Sequence, residues 1–144
     1  MTPIIQPLKA NEAAALADLV YRQLEGKPLT ADLRRQFAAS LPQLGLETFS
    51  PFPGSLAQDP LHPSTYYLAI DTIGAPMLLR IALASSPAAE VFPEAVLIGR
   101  LRPGGGREIV IEALPFPVAD HDSVRTGDEE AIRLAASRLL GKPI

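Results

Sequence analysis

Apolar and polar positions change their period along this chain, and the changes mark its elements. From Asn11 to Leu24 the side chains Leu16, Leu19, Val20 and Leu24 recur at helical spacing, with Asn11 available as a cap. Gly26 offers a left-handed stop and Pro28 prevents resumption. Thr30 caps a second predicted helix, Ala31 to about Leu41, whose stripe is Leu33, Phe37 and Leu41. The link between the two is short, which predicts an antiparallel helical hairpin. Before them, Pro3 and Pro7 make residues 1–10 extended.

The period then falls to two. In Thr65 to Leu83, Tyr66, Leu68 and Ile70 alternate with Tyr67, Ala69 and Asp71. After a turn at Ile73-Gly74, Met77, Leu79, Ile81 and Leu83 alternate with Leu78, Arg80 and Ala82. A two-residue turn pairs Ile70 with Met77, Leu68 with Leu79 and Tyr66 with Ile81, and sets Tyr67 opposite Arg80. A second hairpin spans Ala95 to Leu114 around the triple glycine Gly104, Gly105 and Gly106, where positive φ carries little steric cost. Its register pairs Pro103 with Arg107, Arg102 with Glu108, Leu101 with Ile109, Arg100 with Val110, Gly99 with Ile111 and Ile98 with Glu112. Leu97, Leu101, Ile109 and Ile111 then share one face, and Arg100, Arg102, Glu108 and Glu112 the other. A slip of one residue would mix the faces, so the pattern selects this register.

Between the helical pair and the first hairpin, Leu44 to Ser64 is irregular, with Pro51, Pro53, Pro60, Pro63 and Gly54. Leu46–Phe49 reads as a short strand and the rest as a long loop, a type often functional. After Leu114, Pro115-Phe116-Pro117 is extended, and Asp120-His121-Asp122 lies in a polar turn. Thr126 and Glu129 form a capping-box pair for a last helix, Gly127 to Leu140, buried through Ile132, Ala135, Ala136, Leu139 and Leu140. The expected fold class is therefore α+β: one domain over residues 1–144 in two layers. An antiparallel β-sheet of about four to five strands, built from two hairpins, is covered on one face by three helices.

Composition narrows the function. A net charge of −3 argues against a nucleic-acid partner, because phosphate binding wants a basic surface. The absence of cysteine removes disulfides, thiol nucleophiles and thiolate metal sites. No apolar run is long enough to span a bilayer, so no membrane role is expected. The N-terminus lacks a basic segment followed by an apolar one, which makes the cytoplasm the default location.

Four positions are candidates for acid–base or metal chemistry: His62 in the long loop, and Asp120, His121 and Asp122 before the last helix. Their spacing matches no compact ligand motif, and the Asp-His-Asp run serves equally as turn and cap chemistry. No metal or cofactor is assigned. The triple glycine joins strand to strand with no Gly-Lys-Ser/Thr, so a hairpin turn explains it better than a phosphate loop. No serine lies in Gly-x-Ser-x-Gly or Ser-x-x-Lys.

The mixed sheet face is the best candidate for binding. It gathers Tyr67, Arg80, Arg100 and Arg102 beside Glu108 and Glu112; arginine forks suit carboxylate or phosphate, and tyrosine gives a flat stacking body. The plainer alternative is a solvated face with cross-strand Arg–Glu pairs. The expectation is a small cytosolic binding or interaction protein, recognising a protein partner or small anionic ligand through that face and the Leu44–Ser64 loop. The alternative is an enzyme, or an enzyme's accessory domain, acting on a small polar substrate with His62, His121, Asp120 and Asp122 as its centre. A third reading is a homodimer joined at a sheet edge or through the mixed face. No catalytic motif decides whether the protein is an enzyme.

Overall fold

The computed structural model describes residues 9–85, 96–101 and 108–144. Helix α1 (Ala10–Leu24) and helix α2 (Ala31–Ser40) lead the chain, followed by a 3-10 turn at Leu41–Leu44. Strands β1 (Phe49–Pro51) and β2 (Ala57–Gln58) flank a 3-10 turn at Pro53–Ser55. Strands β3 (Thr65–Thr72), β4 (Pro76–Leu83), β5 (Val96–Leu101) and β6 (Ile109–Pro115) follow, then a 3-10 turn at Val118–Asp120 and helices α3 (His121–Thr126) and α4 (Glu129–Leu140). The α+β class and the antiparallel hairpins are as expected.

The sheet runs β1–β3–β4–β6–β5, and β2 also pairs with β3. β1 and β2 share one edge of β3: Phe49–Pro51 lies opposite residues 70–72, and Ala57–Gln58 opposite residues 66–67. The first hairpin has the expected register, with Tyr66 opposite Ile81, Tyr67 opposite Arg80 and Ile70 opposite Met77. Its turn is closed by the Thr72 hydroxyl, which donates to the Ala75 carbonyl at 2.7 Å. In the second hairpin Leu101 pairs with Ile109, Arg100 with Val110 and Gly99 with Ile111, as the alternation predicts. A bulge between Leu97 and Gly99 then shifts the register, so Leu97 rather than Ile98 faces Glu112. Gly99 gives that strand a residue tolerant of the irregularity. The triple-glycine turn, its flanking pairs Pro103–Arg107 and Arg102–Glu108, and the extended first residues lie outside the described residues.

Helices occupy both faces of the sheet, which corrects the expectation of three helices on one face. Leu16, Leu19, Val20 and Leu24 of α1 and Phe37 of α2 pack with Tyr66, Leu68, Ile70, Leu79, Ile81 and Ile111. Val124 of α3 and Ile132, Ala135 and Ala136 of α4 pack with Tyr67, Ala69, Leu78, Leu114 and Phe116 on the other face. The reason is visible in the strands: the face read as mixed also carries Tyr67, Ala69, Leu78 and Leu114, enough apolar surface to need its own cover.

Local caps divide into those the chain dictates and those that packing replaces. Thr30 accepts from the Leu33 N–H at 3.2 Å, as expected. Gly26 and Gly141 take φ of +75° and +71° at the ends of α1 and α4. Asn11, however, lies inside α1, which starts after Lys9 without a side-chain cap. Its start is held from a distance: Glu12 Oε1 accepts from the N–H groups of Glu47 at 2.6 Å and Thr48 at 3.1 Å. The Thr126–Glu129 capping box is likewise corrected. Asp128 caps α4 through the Ala131 N–H at 2.9 Å, while the Thr126 hydroxyl donates to the Asp122 carbonyl and closes α3. Gly127 separates the two helices; a Cβ there would stand 2.2 Å from the Ser123 carbonyl oxygen, so no larger residue permits this turn.

The chain leaves the β3 edge between β1 and β2, and Ser55 repairs the gap. Its hydroxyl accepts from the Ala69 N–H at 2.8 Å and donates to the Phe52 carbonyl at 2.7 Å, while the Phe52 N–H reaches the Ala69 carbonyl at 2.9 Å. Ser55→Ala leaves a buried strand N–H unpaired. A loss of about 1–3 kcal/mol is expected, measured by urea unfolding; a change within error would show that another group satisfies Ala69.

Candidate anion-binding site

The same detour leaves the carbonyls of Gly54 and Leu56 without strand partners. Both α2 and α4 pack against it, one from each layer. Arg34 of α2 donates from Nη1 to the Leu56 carbonyl. Arg133 of α4 donates from Nη2 to the Gly54 and Leu56 carbonyls, each at 3.3 Å. The two guanidinium groups thus meet on one carbonyl oxygen. One carboxylate joins them: Glu129, one turn before Arg133, lies 3.2 Å from its Nη2 and is half exposed. Burial and then the Arg133 charge lower the Arg34 pKa from its ordinary value, and Glu129 offsets part of that. Arg34 makes no ion pair of its own among the described residues, and the buried Nε of Arg133 has no partner there. Gly54 is part of the arrangement, because a Cβ at that position would come within 3.1 Å of the Glu129 side chain.

Chemically the cluster offers fork-shaped donors to an anion at an accessible edge. Asp128 is engaged as the α4 cap, and Glu130 is exposed in the same first turn.

Two of the residues expected to bind a ligand, Tyr67 and Arg80, are not on an open surface. Tyr67 is fully buried and Arg80 is 4% exposed. Arg80 donates from Nε to Glu112 Oε1 at 2.7 Å, and again from Nη2, across the β4–β6 pair. The cross-strand Arg–Glu pairing of the plainer alternative is therefore realised here, in the interior instead of in water. Arg100 stands opposite Val110 in β5, and Arg102 lies outside the described residues.

Tyr67 instead joins a polar cluster. Its hydroxyl donates to Asp59 Oδ2 at 2.9 Å, the Lys142 ammonium pairs with the same oxygen at 2.5 Å, and that ammonium lies 5.5 Å from the Tyr67 ring centre. Asp59 Oδ1 accepts from the N–H groups of Leu61 at 2.9 Å and His62 at 3.2 Å. Burial pushes the Asp59 carboxyl up, but the Lys142 hydrogen bond, the Leu61 N–H and the Tyr67 hydroxyl hold it below its ordinary value. Burial likewise works against the Lys142 charge, and the bonds to Asp59 and Tyr67 outweigh it, so its pKa rises. Burial raises the Tyr67 pKa. All three shifts favour the neutral-pH states, as a charge-balanced structural clamp would.

The catalytic candidates are dispersed into local roles. His62 is held by its backbone in the turn between Asp59 and Thr65. His121 Nε2 donates to the Phe116 carbonyl at 3.0 Å, Asp120 pairs with Arg138 at 3.1 Å, and Asp122 is exposed on α3. Among the described residues no three His, Asp or Glu side chains gather as a metal ion would need, and no helix is long and apolar enough to cross a membrane. No protein-family model, curated protein or solved structure matches this chain.

Sequence reasoning missed Arg34, Arg133, Glu129, Asp59 and Lys142. The Glu129–Arg133 spacing was the one legible signal, since such a pair faces itself on a helix. The meeting with Arg34 has no local signature.

Two measurements check these clusters. Arg80→Ala strands Glu112 in the interior and is expected to cost about 3–5 kcal/mol, while Arg80→Met with Glu112→Leu recovers most of it; equal losses in both variants, by chemical denaturation, would refute the pairing. Asp59 has a depressed folded pKa, so its contribution is full above the ordinary carboxylate range and is lost as pH falls through the folded value. Lys142, raised, contributes below the ordinary lysine range and is lost only in strong alkali. Stability should therefore fall below about pH 4, and more shallowly in Asp59→Asn; an identical acid slope in that variant would remove Asp59 as its source.

Proposed function

We propose that the protein is a small cytoplasmic binding domain that takes an anionic group, carried by a small ligand or a partner protein, without catalysis of its own. The observation that carries this reading is the convergence of Arg34 and Arg133, from helices on opposite sheet faces, with Glu129 as the carboxylate acting on both. Arg22, Arg35, Arg125 and Arg138 each have a carboxylate partner of their own, whereas Arg34 and Arg133 share Glu129. The separation of His62 from His121, each held in a local turn or cap, also favours binding over acid–base chemistry.

The reading takes the anion class expected from the sequence and assigns it to the sheet edge instead of the sheet face. The probes are succinate and inorganic phosphate, titrated calorimetrically into the folded protein. Wild type should bind at least one of them. Arg34→Ala should weaken binding about tenfold, the loss of one charge-assisted hydrogen bond. Glu129→Gln, which removes the internal competitor, should strengthen it. Binding of neither anion, or affinities untouched by Arg34→Ala and Arg133→Ala together, would end the proposal.

A further inference from the structure

The arginine pair adjoins a groove of about 380 Å³ between the last turn of α2 with the 3-10 turn after it and strand β1. Ala38, Leu41, Leu46, Phe49, Pro51 and Pro53 line it. The two features meet at consecutive residues: Pro53 lines the groove, and Gly54 offers its carbonyl to Arg133 and its bare Cα to Glu129. Arg34 lies one helical turn before Ala38 on α2, so the same helix carries the cationic end and part of the apolar wall. Beyond β1 no further strand is paired among the described residues. Yet Pro51 and Pro53 withhold backbone donors there, which disfavours capture by strand addition.

Resting on the anion-binding reading, we infer that this edge holds an extended peptide of a partner protein, with apolar side chains in the groove and an adjacent carboxylate between Arg34 and Arg133. Charge complementarity selects the acidic end, and the prolines leave side chains to provide the affinity. An apolar centre bordered by a charged anchor is the anatomy of a peptide-binding surface. The Glu129 carboxylate rests where the partner's would arrive, flat against Gly54, and a half-exposed side chain in the first turn of a helix can swing aside.

The test uses the full chain and three probes: a fluorescein-labelled hexapeptide alternating leucine and glutamate, its leucine–glutamine counterpart, and succinate. The leucine–glutamate peptide should bind by anisotropy at least about tenfold more tightly than the glutamine peptide, and more tightly than succinate. Ala38→Trp, which fills the groove, should weaken the peptide about tenfold and leave succinate unchanged. Arg34→Ala should weaken both. Far-ultraviolet circular dichroism and the urea midpoint establish that each variant is folded; if Ala38→Trp does not fold, Ala38→Met takes its place. Equal binding of the two peptides, or a peptide affinity indifferent to the filled groove, overturns the peptide inference while succinate binding sustains the anion site. Loss of no affinity in Arg34→Ala removes both.

Discussion

A sheet whose central strands are dry on both sides governs this structure. β3, β4 and β6 are buried almost end to end, so every polar group they carry must find its partner within the protein. Three arrangements follow from that demand. Arg80 meets Glu112 across two strands. Tyr67 gives its hydroxyl to Asp59, and Asp59 takes Lys142 from the chain's last turn. Ser55 stands in for the strand that leaves the β3 edge. Each is a polar interaction enforced by apolar burial around it.

The candidate site is a by-product of the same demand. A chain that departs from a sheet edge exposes carbonyls that no strand can satisfy. Two long cationic side chains, one from each helical layer, reach those carbonyls and bring their charges together. Glu129, half exposed, supplies the carboxylate beside them. The binding proposed for this edge thus starts from a structural repair. The Tyr67–Asp59–Lys142 cluster shows the contrast: there one carboxylate meets one ammonium, and Asp59 and Tyr67 are buried.

Several features were legible from local pattern. The stripe of α1 is buried as its spacing implies, those of α2 and α4 are buried at Phe37 and at Ile132, Ala135 and Ala136 with Leu33, Leu139 and Leu140 partly covered, and Thr30 caps where its position suggests. Both hairpins keep the register that alternation selects, up to the bulge at Leu97–Gly99. The second cover of the sheet was also written in the chain, in Tyr67, Ala69, Leu78 and Leu114, but alternation alone presents those residues as the less apolar face. His62, Asp120, His121 and Asp122 drew notice through residue type, and their roles are those of turns, caps and ordinary pairs.

What the sequence by itself determined is whatever depends on neighbours within a few residues: helix stripes, glycine stops, the Thr30 cap and hairpin register. Their energies come from backbone geometry and from side chains one turn or one strand away. Tertiary structure alone decided how the helices divide between the two faces, how Glu12 ties the first turn of α1 to Glu47 and Thr48, and how Arg34 comes to meet Arg133. Those contacts join residues tens of positions apart, and their strength comes from burial and charge that exist only once the layers have closed.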